Sequence, residues 1–202
     1  MNSNIKPSSY RLGDLVLLEL TDYNKSYLCN NNPNSIGYEY ISSNISINKI
    51  ENITKIVNKF IEKYNDLLPL DIEDSVVVHL RLGDVIVGDK YHEQLKRPYD
   101  VNDIKSTVLS IKEPYNKIYI IGKCYFDDVE FDVSKLDNGI LLSNKYLNDV
   151  LNELNCEHFD GNHADIDLCC AVKAKIFIRG KGCYSELIYQ IRNYLNKINY
   201  SP

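Results

Sequence analysis

The sequence predicts an α/β fold built on a parallel sheet, and two stretches carry that prediction. The first is Ser75–Val87, SVVVHLRLGDVIV, in which Val76, Val77 and Val78 form an apolar run that ends in His79, Arg81 and Asp84. A run without polar alternation fits a strand covered on both faces, as a parallel sheet between helices requires. The second is Asp165–Ser185, DIDLCCAVKAKIFIRGKGCYS, which reads as a short helix, an apolar strand at Ile176–Ile178, a glycine-bearing turn and the start of another helix. Strands alternating with helices imply right-handed crossovers and a Rossmann-like sheet. In such sheets ligands bind beyond the carboxyl ends of the strands, which is where His79, Arg81 and Asp84 fall.

Taken in order, Asp14–Leu20 is expected as a first strand, Asn30–Ser35 as an exposed loop and Ile36–Ser42 as a second strand. Residues 49–64 place Ile50, Ile53, Val57, Phe60, Ile61 and Tyr64 on one helical face, with Asn48 and Glu51 spaced as a capping box. The turn Leu68-Pro69-Leu70-Asp71 then divides the chain into a reduced N-terminal lobe, 1–72, and a sheet-bearing unit, 73–202. Gly88–Tyr99 is polar and reads as a loop, after which Asp100 caps a helix carrying Val101, Ile104, Val108 and Ile111. Lys117–Gly122 is the next strand and Ile140–Leu142 another, while Leu147, Val150, Leu151 and Leu154 recur with helical spacing. A last helix from Ser185 to Asn196 closes the unit. RLGD occurs at 11–14 and again at 81–84, but the flanks differ and the echo is read as chance.

Composition narrows the function. A chain of 202 residues with 44% hydrophobic content can bury one core with a small accessory lobe. Its net charge of -5 argues against a general nucleic-acid binder, so any phosphate site must be local. Arg11, Arg81, Arg97, Arg179 and Arg192 are the arginines among 23 basic residues. Arginine grips a phosphate through two parallel hydrogen bonds where lysine acts as a point charge, so Arg81 at a strand end stands out. The opening MNSNIKPSSYRLGD holds no apolar leader core, and Leu15–Leu18 is too short to span a bilayer, so a cytoplasmic protein without a membrane span is expected. The sequons at Asn44, Asn52 and Asn199 are then incidental to an Asn-rich chain. Six cysteines without a CxxC pair fit a reduced compartment. Cys156, His158, His163 and Cys169 are spaced as C-x-H-x4-H-x5-C, which matches no common zinc module, and no metal is expected there.

Two features carry chemistry. The turn Gly180-Lys181-Gly182-Cys183-Tyr184-Ser185 enters a helix, so its backbone N–H groups and the helix dipole form an anion site, with glycines that let a pyrophosphate approach closely. The plainer alternative is an ordinary strand-to-helix turn. The pattern HxRxGD at 79–84 resembles the first motif of the GDP-fucose-dependent fucosyltransferases, the superfamily of α1,2-, α1,6- and protein O-fucosyltransferases. Asp165–Ser185 is similar to that family's closing motif: an Asp, an apolar helix, an Ile/Val-rich strand, then a small-residue turn with an aromatic and a Ser. The resemblance covers roughly residues 73–192 and leaves out the first seventy.

What it implies is the donor-binding half of a GT-B transferase, with GDP-fucose as donor, a glycan as acceptor, and inversion without a metal or other cofactor. Arg81 would contact the donor's β-phosphate and stabilise the charge growing on GDP as the glycosidic bond breaks. Asp84 orients Arg81 or caps the loop, and His79 lies near guanine or ribose. Lys181, Gly182, Cys183, Tyr184 and Ser185 line the diphosphate. The α1,6 and O-fucosyltransferase pattern selects Asp167 to accept the two donors of the guanine edge; the α1,2 pattern selects Asp165; the other residue is left to cap the helix. Asp165-Ile166-Asp167 also spells the DxD of metal-dependent transferases, although that motif lies on a strand-end loop rather than entering a helix. The base that deprotonates the acceptor is Asp89, eight positions past Arg81, with His92 and Glu93 as rivals in the same loop.

Two departures stand out. Leu82 occupies the place of a second Arg found in many members, and only about 72 residues precede the motif strand where the family has a whole acceptor-binding half. A reduced lobe, a second copy or another partner chain is expected to supply the acceptor surface. Two other readings stay open at this point: a nucleotide-sugar or glycan-binding module without catalysis, and a pyruvyl-transferase-like enzyme of polysaccharide synthesis, which shares an Arg-x-x-Asp strand end but not the donor.

Overall fold

The strand that carries the motif, β1 (Val76–His79), is buried along its whole length. In a computed structural model that describes residues 16, 47–83, 86, 98–125, 136–161 and 163–202, it is the centre of the sheet. The other members are β3 (Ile118–Ile121), β5 (Glu157–His158), β6 (Ile176–Ile178) and β7 (Ile198–Tyr200), all pairing in parallel in the order β5-β3-β1-β6-β7. Among the described residues, five helices with both ends placed cover it: α1 (Ile47–Tyr64), α2 (Val101–Leu109), α3 (Leu136–Leu154), α4 (Ala164–Lys173) and α5 (Cys183–Tyr194). The fold is therefore the Rossmann-like α/β arrangement expected from the sequence.

Side chains alternate across each strand and so fill two separate cores. Val76, Val78, Ile118, Ile120, Ile176 and Ile178 face Ile104 and Val108 of α2 and Val150 of α3. Val77, Tyr119, Ile121 and Phe177 face Ile53 and Val57 of α1, Leu168 of α4, and Leu187, Ile188 and Ile191 of α5. Each fully buried valine of β1 contributes roughly 1.5–3 kcal/mol of transfer free energy. The helix α1, which the sequence division assigns to the N-terminal lobe, thus belongs to the sheet's own layer. The second strand set, β2 (Leu82–Gly83) with β4 (Cys124–Tyr125), continues the β1–β3 ladder after a break at Leu80–Arg81 and Gly122–Lys123. Gly122 packs its backbone against the Leu80 carbonyl at that break.

Several local expectations change. Ile140–Leu142 lies inside α3 rather than in a strand, because the buried stripe of that helix runs through the small residues Gly139 and Ser143 to Val150 and leaves Leu141 exposed. Ser143 is small so that its hydroxyl can accept a hydrogen bond from Gly83 N at 2.9 Å. Val16, in the expected first strand, is helical and fully buried. The helix α1 starts at Ile47, so Asn48 sits within it rather than capping it. The last helix begins at Cys183 and is followed by β7, which the sequence reading does not include. Asp100 caps α2 as expected, accepting from Asn102 N at 2.8 Å. The loop at 30–35 and the strand at 36–42 lie outside the described residues. No described helix is long and apolar enough to cross a membrane.

Arg192 of α5 holds the edge opposite the motif residues together. Its buried guanidinium donates to the carbonyls of Ala171, Val172 and Ala174 at the end of α4, and to those of Lys175 and Ile198 beside β6 and β7. Burial pulls its pKa down to about 9, which leaves it charged at neutral pH and facing the negative end of the α4 dipole. Arg192→Met should lower the urea-measured unfolding free energy by about 3 kcal/mol, because several buried carbonyls lose their donor at once.

Candidate functional site

The order of the sheet locates the site. From β1 the chain winds outward through β3 to β5, then returns to the other side of β1 to make β6 and β7. The crossover helix after β1 therefore covers one face and the helix after β6 the other, and a crevice opens beyond the carboxyl ends of these two neighbours. Leu80 points into the α2–α3 core, whereas His79 and Arg81 share the parity of Val77 and turn toward α5.

His79 forms the floor. It is 6% exposed, its ring lies 5.3 Å from that of Tyr184, and its Nδ1 has no hydrogen-bond partner among the described residues. Burial first, and the charge of Arg81 second, push its pKa down to about 3, so the imidazole is neutral at physiological pH. A neutral ring in that place packs beneath the β6–α5 turn rather than meeting a phosphate as a cation.

The turn is shaped by what lies under it. A Cβ on Gly180 would collide with the His79 carbonyl oxygen and stand 2.9 Å from Nδ1, so no larger residue fits. Gly180 N donates to the buried Ser185 Oγ at 2.7 Å, which closes the turn onto α5. Gly182 is the N-cap of α5, with φ +94°, a region that glycine adopts without strain. It brings no capping side chain, and the positive end of the α5 dipole is presented at the crevice. Arg81 Cδ lies 3.9 Å from where a Gly182 Cβ would be, so the guanidinium-bearing chain and the helix start lie side by side. Cys183 is the first residue of α5, and Lys181 stands between the two glycines.

The amino end of α4 is the second part. Its N-cap is His163, whose Nδ1 accepts from Asp165 N at 3.2 Å, so the capping role expected of Asp165 or Asp167 falls to this histidine. Both aspartates lie in the first turn and are buried. Asp167 Oδ1 accepts from Gly161 N at 3.2 Å, and burial is the main cause that raises its pKa to about 6. Tyr184 joins the two parts, since its hydroxyl donates to Ala164 O while its ring packs on His79.

The structure thus gathers His79, Arg81, Lys181, Gly182, Tyr184 and Ser185 around one crevice and sets Asp165 and Asp167 beside it. Asp84 and Asp89, with His92 and Glu93, lie outside the described residues. Among the described residues no three His, Cys, Asp or Glu side chains converge as metal ligands. Cys156 turns its thiol to the carbonyls of Val150 and Leu151, while Cys169 is buried in α4. A surface hollow of about 430 Å³ by Asp100, Asp149 and Glu153 is acid-lined and would repel a diphosphate. Tyr99, whose ring meets Lys181, enters the sequence reading only as the last residue of the polar loop and with no role in the site; its one signal there is its place between Pro98 and the capping Asp100.

Comparison with protein-family models, with curated proteins and with solved structures gave no match. The assignment of a role therefore rests on the residues themselves.

His79 and Asp167 pull stability in opposite directions with pH. His79 titrates near 6.5 when unfolded and about 3 when folded, so the unfolded chain binds more protons in that window and stability falls as pH drops through it. Asp167 titrates near 3.8 unfolded and about 6 folded, so its contribution is greatest in acid and is lost as pH rises to about 6. Urea midpoints measured from pH 4 to pH 7 should fall toward acid in the wild type, fall less in His79→Leu and fall more steeply in Asp167→Asn.

Proposed function

We propose that the chain is a fucosyltransferase-like glycosyltransferase that binds GDP-fucose in the crevice between β1 and β6 and transfers the sugar, with inversion and without a metal, to a glycan. The observation that carries this reading is the approach of Arg81 to Gly182 at the start of α5, at the point where the sheet's winding reverses. A guanidinium-bearing side chain running beside the amino end of a twelve-residue helix suits a diphosphate.

In this reading Arg81 grips the β-phosphate, and its charge stabilises the leaving GDP more than the intact donor, which lowers the barrier to bond cleavage. Gly182 lets the pyrophosphate lie against backbone, while Gly180 lets the turn itself pack on His79. The guanine edge is read by a carboxylate from the first turn of α4, with Asp167 preferred. Because Tyr184 ties that turn to α5, base and diphosphate sites share one rigid frame. Asp89 is assigned as the base that takes the proton from the acceptor hydroxyl. A second copy or another chain contributes acceptor surface.

Calorimetric titration tests the assignment. GDP should bind the wild type in the presence of EDTA, and Arg81→Ala should weaken it about tenfold to a hundredfold without unfolding the chain, the loss expected for a hydrogen bond to a charged group. Asp167→Asn should narrow the preference for GDP over ADP, since adenine offers no matching pair of donors. Equal GDP affinity in folded Arg81→Ala removes the donor-site reading, and GDP-fucose bound without turnover makes the protein a binding module instead.

A further inference from the structure

The β6–α5 turn makes one more contact at the crevice. The ammonium of Lys181 lies 4.8 Å from the centroid of the Tyr99 ring, within reach of a cation–π attraction. Tyr99 is itself fixed: its carbonyl accepts from the Tyr146 hydroxyl of α3 at 2.7 Å, and the next residue caps α2. Its ring also packs on the core that holds Val78, Leu80 and Ile104. A lysine side chain is otherwise long and freely rotating, so the ring restricts where its charge can be.

We propose that Tyr99 is a positioning residue that holds Lys181 over the turn, where the ammonium supplies a second cation to the diphosphate gripped by Arg81. This rests on the donor-site reading and extends it. Lys181 follows Gly180 and precedes Gly182, whose Cβ position lies 3.9 Å from Arg81 Cδ, so the two basic side chains leave adjoining stretches of backbone at the carboxyl ends of β1 and β6. Their chemistry is complementary: the planar fork of Arg81 fixes the orientation of one phosphate, and the ammonium turns from the ring to whichever oxygen is nearest. Tyr99 touches the ligand only through Lys181.

Titrations of the full chain with GDP, with inorganic pyrophosphate and with guanosine test the proposal. Lys181→Ala should weaken GDP and pyrophosphate about tenfold, as for one lost charge-assisted contact. Tyr99→Leu should weaken them about threefold and Tyr99→Phe hardly at all, because the aromatic face is what holds the ammonium. The double variant should be no weaker than Lys181→Ala alone, the non-additivity expected of residues that act as one unit. Guanosine, which lacks the diphosphate, should bind equally to all. Unchanged GDP affinity in Lys181→Ala, a half-buried position outside both cores, overturns the proposal; so does a Tyr99→Leu effect that adds to it or extends equally to guanosine. Wild-type protein that binds neither GDP nor pyrophosphate overturns the donor-site reading and this inference together.

Discussion

The reversal of winding between β1 and β6 is the constraint on which the rest depends. Because the described strands of the sheet all run parallel, successive strands must be joined by crossovers, and right-handed crossovers on either side of β1 are obliged to leave on opposite faces. The two loops at the carboxyl ends of β1 and β6 therefore part, and a crevice is left between them. The buried valines of β1 hold this geometry in place, since a slip of one residue would turn Val77 out of one core and Val76 and Val78 out of the other.

What lines the crevice follows from the parity of β1. His79 and Arg81 project to the same side, one as a dry, neutral ring and the other as a charged chain. The ring supports Gly180 from below and packs on Tyr184, so the shape of the anion-facing turn is set by a residue of the central strand. At the opposite edge Arg192 plays a comparable part by gathering the carbonyl ends of α4 and its neighbours. One arginine is thus consumed by the fold, and another is placed at the mouth of the crevice.

The central strand, the strand at Ile176–Ile178 and the glycine turn are legible in the sequence because an apolar run bounded by Gly or charged residues fits little else than a buried strand and the turn that leaves it. The edge strands are not. Glu157–His158 is short, polar and exposed, and Ile198–Tyr200 is three residues long and only half-buried about a central Asn, so neither alternation nor an apolar run marks them. The Ile140–Leu142 error has a different origin: the buried face of α3 is built on Gly139 and Ser143, which carry no hydrophobic signal, and the visible leucines lie partly on the wet side. In the site, the residue types at the two strand ends are readable, but the cap of α4 is not, because a histidine takes the role that aspartate usually fills. The Lys181–Tyr99 pair joins residues far apart in sequence, and only the folded sheet brings them together.

The central claim is that the sheet edge between β1 and β6 receives a nucleoside diphosphate. Amide NMR of the 15N-labelled chain titrated with GDP tests it most directly. Saturable shift changes are expected at the amides of Arg81, Leu82, Gly180, Gly182, Cys183 and Tyr184, with Ser75, Lys117 and Lys175 at the opposite edge unmoved. Changes confined to that opposite edge or to the hollow by Asp149 and Glu153, or no change at millimolar GDP, would contradict it.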